Sequence, residues 1–113
     1  MTPEQFKLVA IAAIERQIAA GSRLVSGEWG EPGEDGCPLA CGCALTLLVQ
    51  DGDPLIALKM LTGEYDAEDR VAAYLGISAH DVLGFASGFD GDAGHGPWHK
   101  AGSEAAAMFA VGP

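Results

Sequence analysis

Basic side chains are scarce in this sequence. It has 6 lysines and arginines against 16 aspartates and glutamates in 113 residues, which gives a formal net charge of −10. Such a surface repels the phosphates of nucleic acids and of anionic lipids, so we expect no direct nucleic-acid binding and no membrane binding. A protein partner with a basic surface remains compatible with this charge.

Cysteine is also scarce, and its three copies are crowded together. Cys37, Cys41 and Cys43 lie within seven residues, and an odd number so closely spaced is not a disulfide framework. The N-terminus is polar and acidic, without the apolar region of a signal peptide. The sequence therefore predicts a cytoplasmic protein in a reducing compartment.

Alternating apolar and polar stretches, which are typical of strands, are missing. Hydrophobic residues make up 49% of the chain, which is enough for a core without disulfides or metals. Helical patterns separated by glycine, proline and cap residues account for most of the rest. The sequence predicts one all-α domain over residues 1–113, a compact bundle of five or six helices.

The segment 37–50, CPLACGCALTLLVQ, has no charged side chain. Asp35 and Pro38 have the positions of a helix N-cap and of a first-turn proline, and residues 51–54 form a stop signal. At 14 residues the segment is shorter than the roughly 20 that a membrane span needs. We therefore predict a buried central helix over 37–50, wrapped by the other helices.

The remaining helices are predicted from capping residues and apolar spacing. Thr2 and Gln5 form a capping box for the first, and Ser78 caps another. The list of predicted helices is 2–20, 54–61, one from Asp66 or Glu68 to Leu75, one after Ser78, and one from Pro97 to about 111. Residues 22–36 and 88–96 are predicted as loops.

Acidic residues fall into two clusters that could form one binding surface. The clusters are Glu28, Glu31, Glu34 and Asp35, then Glu64, Asp66, Glu68 and Asp69. On one side of the molecule they would dock on a basic protein groove by mimicking phosphates, as many small inhibitors of nucleic-acid enzymes do. The alternative is a solvated acidic surface that only promotes solubility.

A glycine-rich loop is the second candidate binding region, with Asp90, Asp92, His95, Trp98 and His99. It begins like a calcium loop, but glycine, histidine and alanine occupy later positions where ligands or a turn glycine belong. We therefore predict a binding loop without a metal and without a cofactor.

The alternative from a different class is a thiol- or metal-dependent site. It would use Cys37 and Cys41 with a histidine, and its metal ligands would be Cys37, Cys41, His95 and His99. On a helix Cys43 would lie about 200° around the axis from Cys41, so the three thiols could not share one ion unless the helix starts after Cys41. Ordinary core thiols are the favoured interpretation, and we expect no catalysis.

A second alternative is a helix-turn-helix DNA-binding protein. The run Leu75-Gly76-Ile77-Ser78, followed by Val82, resembles the bend of such regulators. In that family the second helix enters the major groove, but the matching helix here has no lysine or arginine. The charge therefore disfavours DNA binding.

Three short motifs together resemble a group of small uncharacterised bacterial and phage proteins. They are the Cys37-Pro38-Leu39-Ala40 start, the Leu75-Gly76-Ile77-Ser78 bend and the Gly88-Phe89-Asp90-Gly91 segment, and the similarity runs from about residue 29 to residue 99. The resemblance implies a phage or bacterial accessory protein and implies no chemistry. With the charge, it favours an acidic protein–protein interaction module, a phage-type inhibitor acting on a basic nucleic-acid-handling protein.

Overall fold

The computed structural model describes residues 1–25, 29–61 and 67–109, apart from the side chains of Cys37, Ala67 and Glu68. These residues form six helices and three short strands. The helices are α1 (Pro3–Ala19), α2 (Ala44–Gly52), α3 (Pro54–Leu61), α4 (Ala67–Leu75), α5 (Ala79–Phe89) and α6 (Pro97–Phe109). The strands are β1 (Arg23–Leu24), β2 (Gly30–Gly33) and β3 (Gly36–Gly42). The prediction of an all-α fold is therefore wrong.

The strands form one mixed sheet in the order β1-β3-β2. β1 is parallel to β3, with Arg23 opposite Cys41, and β2 is antiparallel to β3, with Glu31 opposite Cys41. The register shifts between Glu31 and Gly33, so the middle of β3 is bulged relative to β2. This sheet covers the region that the sequence had assigned to a loop and to the start of a helix.

The predicted helix over 37–50 is wrong in its first half because Glu34 and Asp35 make a hairpin turn and Gly36 begins β3. Gly36 has a φ of 94°, a value that glycine adopts without strain. Pro38 has no N–H for a ladder, and it lies in the bulged stretch where no β2 partner is assigned to it. Asp35 therefore belongs to a turn, and Gly36 and Pro38 belong to a bulged strand, instead of forming a cap and a first helical turn.

The second half of that segment is the buried helix that the sequence predicts. Cys43 is the N-cap of α2, and every residue from Ala44 to Gln50 is buried. The helix ends at Gly52 with Asp53 as its C-cap, which is inside the predicted stop signal and two residues past the predicted end at Gln50. The buried apolar helix is thus confirmed for residues 44–50 only.

Capping explains the ends of the other helices. Thr2 and Gln5 form the predicted capping box, with the Gln5 N–H donating to Thr2 Oγ1 at 3.1 Å. Ser78 caps α5 by accepting from the Asp81 N–H at 3.2 Å. The last helix begins at Pro97, as predicted.

A buried polar network joins β3 to α2. The Leu39 N–H donates to Gln50 Oε1 at 2.7 Å, and Ser22 Oγ donates to the Leu39 carbonyl at 2.5 Å. Gln50 Nε2 donates to Ser22 Oγ at 3.0 Å and to Gln17 Oε1 at 2.7 Å. Side chains therefore satisfy the backbone of Leu39, which lies at the bulge of the sheet.

The apolar core unites residues of β3 and all six helices, with Phe6, Ile14, Leu47, Val71 and Phe85 among its members with 0–1% exposure. α5 and α6 make the most extensive helix contact. No helix in the described ranges is long and apolar enough to cross a membrane.

Candidate functional site

The β2–β3 hairpin displays part of the first acidic cluster. Glu31 lies on β2, Glu34 and Asp35 form the turn, and all three side chains are exposed. None of them takes part in an ion pair within the part of the chain that the structure describes. We call these three residues the acidic hairpin.

The second acidic cluster is only partly visible. Asp69 is exposed near the start of α4. Glu28, Glu64 and Asp66 lie outside the described residues, as does the side chain of Glu68. The acidic surface is therefore defined here by the hairpin and by Asp69.

Two cavities lie side by side on the outer face of α5. Leu83 and Ser87 line both of them, and Leu83 is 47% exposed. One has a volume of about 180 Å³ and the other about 370 Å³. α5 thus brings the glycine-rich loop and the beginning of β2 to one region of the surface.

The smaller cavity, which we call the Trp29 cavity, has an aromatic side chain on its wall. Trp29 is 44% exposed, and its carbonyl accepts from the Cys43 N–H at 3.1 Å. That hydrogen bond ties the residue before β2 to the N-cap of α2. The other apolar lining comes from Ala44, Leu45, Leu83, Ala86 and Phe89.

The Trp29 cavity has two carboxylates in its lining. Asp90 and Asp92 line it, both are exposed, and its described lining contains no lysine, arginine or histidine. The C-terminus of α5 adds partial negative charge, and the N-terminus of α2 adds partial positive charge of similar size.

The larger cavity gathers all three histidines of the chain: His80, His95 and His99. His99 Nε2 is 2.8 Å from the Asp92 carbonyl oxygen, and a hydrogen bond there fixes the loop against α6. Gly94 lies so close to the His99 ring that a Cβ at this position would meet ring atoms. We call this the histidine cavity.

The described cysteine and histidine side chains are not grouped as the thiol- or metal-site alternative requires. Among the described side chains there is no group of three His, Cys, Asp or Glu that could hold a metal ion. His95 and His99 share the histidine cavity, whereas Cys41 is buried in β3 and lines neither cavity. The side chain of Cys37 lies outside the described residues.

Cys43 is the one cysteine that lines a cavity among those whose side chains are described. Burial raises the pKa of its thiol above the ordinary value of 9.0, and hydrogen bonding to Thr46 opposes the shift only in part. The Sγ and Thr46 Oγ1 atoms are 3.2 Å apart. Since the thiolate is the nucleophile, Cys43 is poorly prepared for nucleophilic chemistry at neutral pH.

The bend that the helix-turn-helix alternative predicts is present between α4 and α5, but α5 has no basic face. α4 and α5 are joined at Gly76, Ile77 and Ser78, as that resemblance requires. The exposed residues of α5 include His80 and Leu83, and the helix has no lysine or arginine. Phosphate contacts would have no cationic partner on this helix.

The chain was compared with protein-family models, curated proteins and solved structures. None of them matches it. Function is therefore inferred from the chemistry of the site itself.

The structure divides the predicted loop residues among three places. Asp90 and Asp92 line the Trp29 cavity, and His95 and His99 line the histidine cavity. Trp98 packs against the core instead, with its ring centroid 5.5 Å from that of Phe6. No site role was predicted from the sequence for Trp29 or Leu83. The signal in the sequence that could have indicated Trp29 is a tryptophan within a predicted loop rich in glycine and glutamate.

Proposed function

We propose that this protein is a small acidic protein-interaction module of the cytoplasm that binds a basic surface on another protein. The observation that carries the proposal is the acidic hairpin, which exposes Glu31, Glu34 and Asp35 without ion pairs in the described structure. Carboxylates held on a two-stranded hairpin can face a row of cationic side chains together. Their attraction raises the rate of association and selects basic partners.

The partner class follows from the same charge. Proteins that handle nucleic acids carry grooves lined by lysine and arginine, and a molecule with a net charge of −10 is attracted to them. A phage-type inhibitor acts in this way by occupying the groove in place of phosphates. No catalytic step and no cofactor form part of the proposal.

Charge neutralisation at the hairpin tests this function. The variant Glu31→Gln/Glu34→Gln/Asp35→Asn removes three negative charges and changes side-chain size very little. The control variant Glu4→Gln/Glu15→Gln/Asp53→Asn removes the same number of charges from exposed positions on α1 and at the start of α3. Asparagine at position 53 can still accept the hydrogen bond from the Ile56 N–H.

The measurement is capture of proteins from a bacterial lysate by immobilised wild type and by both variants, at low and high salt. We expect a set of basic proteins to be captured at low salt by wild type and control, and lost with the hairpin variant. Salt should release the same set, because screening weakens the attraction between exposed charges. Equal loss in both variants, or capture that ignores salt, would contradict a role for the hairpin.

A further inference from the structure

Trp29 and Leu83 are large apolar side chains that line the same cavity while remaining half exposed. The exposed fraction is 44% for Trp29 and 47% for Leu83. Single exposed apolar side chains are ordinary on protein surfaces, as Leu8 on α1 and Leu55 on α3 are here. Two of them on the walls of one concave site form a place where a partner can remove apolar surface from water.

Core residues supply the buried part of the cavity lining, which we call its floor. Ala44, Leu45 and Phe89 line the cavity and are each 4–5% exposed. All three belong to the apolar core, so their positions are fixed by packing on the side away from the cavity. A side chain in the cavity would contact this floor and the two apolar walls. The side chains that contribute most to protein interfaces are seated in pockets of this kind.

The Trp29 cavity has the size of a site for one side chain. Its volume is about 180 Å³. Sites for drug-sized molecules run from about 300 to 1,000 Å³. A single side chain presented by a protein partner fits this scale better than a free metabolite does.

The two aspartates of the lining are compatible with an apolar occupant. Asp90 and Asp92 are both exposed. A side chain on the floor therefore need not take their carboxylates out of water, which is the step that would cost free energy.

We propose that the Trp29 cavity receives one large apolar side chain of the basic protein partner, and that lysine or arginine residues flanking this side chain face the acidic hairpin. This inference rests on the proposed function and specifies the contact at its centre. Glu31 follows Trp29 by two residues, about 7 Å of extended chain. The hydrogen bond from the Cys43 N–H to the Trp29 carbonyl holds the base of the hairpin at the cavity. Charge complementarity at the hairpin thus favours a basic partner, and the apolar lining selects the residue that anchors it.

The test is a titration of ¹⁵N-labelled protein, followed by NMR, with three short blocked peptides of glycine and serine. The first carries phenylalanine with a lysine two residues away on each side, the second has serine in place of the phenylalanine, and the third has glutamine in place of both lysines. We expect the first peptide to shift the Trp29 indole N–H and the amides of Leu45, Leu83 and Ser87. The serine peptide should bind about tenfold more weakly, because it buries no apolar ring. The glutamine peptide should bind about threefold more weakly, and its affinity should not depend on salt.

Two matched variants locate the contact. Leu83→Ser should weaken binding of the phenylalanine peptide several-fold, whereas Leu8→Ser removes an exposed leucine that lines neither cavity and should leave binding unchanged. Equal affinity of wild type for the phenylalanine and serine peptides would overturn the proposal. So would phenylalanine shifts with their maximum at the other exposed apolar residues, such as Leu8 and Ile18 on α1. The wild-type comparison of the peptides decides this even if a variant fails to fold.

The two proposals fail separately. The hairpin triple variant should weaken both lysine peptides alike and keep the ratio of their affinities, since that ratio reports only on the cavity. Hairpin-dependent capture of basic proteins without a preference for phenylalanine would leave the interaction module standing and remove the apolar site. A preference for phenylalanine at the cavity without any hairpin-dependent capture would keep the apolar site and remove the role of the hairpin.

Discussion

Gln50 is the buried polar side chain on which the junction of sheet and helix depends. It is 3% exposed, and its amide makes hydrogen bonds to Leu39, Ser22 and Gln17. No buried side-chain nitrogen or oxygen of the described residues lacks a partner. Removing one member of such a network leaves donors in an apolar environment with nothing to bind.

Gln50→Leu should therefore destabilise the fold. The Leu39 N–H would lose its acceptor, and a buried unsatisfied donor costs about 1–3 kcal/mol. We expect a loss of about 2–3 kcal/mol in the free energy of unfolding, measured by urea denaturation. Gln17→Leu is the control, since Gln17 is only partly buried and water can replace its contacts, with an expected loss below about 1 kcal/mol. Equal losses would show that the buried network has no special role.

Asp51 gives stability a dependence on pH. Arg16 Nε and Nη2 donate to its two carboxylate oxygens at 2.9 and 2.6 Å, and the Arg16 hydrogen bond holds the pKa of Asp51 below its usual value of 3.8. A carboxyl whose pKa is lower in the folded state stabilises the protein above its unfolded pKa. That contribution is lost as the pH falls through the lowered value.

Asp51→Asn should lower the free energy of unfolding by about 0.5–1 kcal/mol at neutral pH, because Arg16 is largely exposed and the pair is screened. The difference from wild type should shrink as the pH falls below the usual value of 3.8 and through the lowered pKa of Asp51, where the wild-type carboxyl becomes protonated too. Denaturation of both proteins across this range is the measurement. A difference that stays constant with pH would indicate a packing effect. Asp35→Asn is the control. Its side chain is exposed and has no ion pair in the described structure, so we expect no loss in the free energy of unfolding at neutral pH.

At the scale of secondary-structure elements, glycine sets the distance between α5 and α6. A Cβ on Gly102 would overlap the Phe85 carbonyl, and one on Gly88 would overlap the His99 carbonyl. The helices therefore approach closely because both faces lack side chains at the contact. Sequence analysis could assign Gly102 to a helix interior but could not identify what it faces.

Gly102→Ala should destabilise the protein, although alanine is favoured over glycine by about 1 kcal/mol in an exposed helix. Overlap with backbone atoms forces the helices apart, and overpacking of this kind costs about 1–3 kcal/mol. Thermal unfolding should show a lower midpoint for Gly102→Ala and an unchanged or slightly higher midpoint for the exposed neighbour Ser103→Ala. A stabilised Gly102→Ala protein would rule out the close contact.

The strand β3 shows where local patterns stop being sufficient. Asp35, Gly36 and Pro38 suit a helix start and a hairpin turn equally well by residue type. The choice depends on partners distant in sequence, namely Arg23 and Glu31 opposite Cys41 and Gln50 beside Leu39. The helix starts at Thr2 and Ser78 were predictable because their capping hydrogen bonds join residues three apart in the chain. β3 was not predictable because its partners are distant in the chain.

The candidate site was predictable only in its chemistry and not in its arrangement. Composition and charge pointed to exposed carboxylates at Glu31, Glu34 and Asp35, and the glycine-rich loop supplied Asp90 and Asp92. That this loop and Trp29 line the same cavity is a tertiary feature. No pattern in the sequence distinguishes Trp29, which lines the cavity, from Trp98, which packs against the core.

At the scale of the whole molecule, the charged side chains differ in whether they form ion pairs. The described basic side chains of Lys7 and Arg16 are engaged with Glu4, Glu104 and Asp51 on the α1 side. Glu31, Glu34 and Asp35 of the acidic hairpin form no ion pair within the described residues. The acidic hairpin thus differs from the α1 side, where carboxylates are paired with Lys7 and Arg16.

The most direct test of the central claim is the salt dependence of binding to one purified basic partner obtained by the lysate capture. Affinity is measured by calorimetry over a series of salt concentrations for wild type, the hairpin triple variant and the matched control triple variant. The account predicts a steep fall in affinity with salt for wild type and control, and a clearly shallower slope for the hairpin variant. Identical slopes for all three proteins would contradict the claim that the acidic hairpin is the binding face.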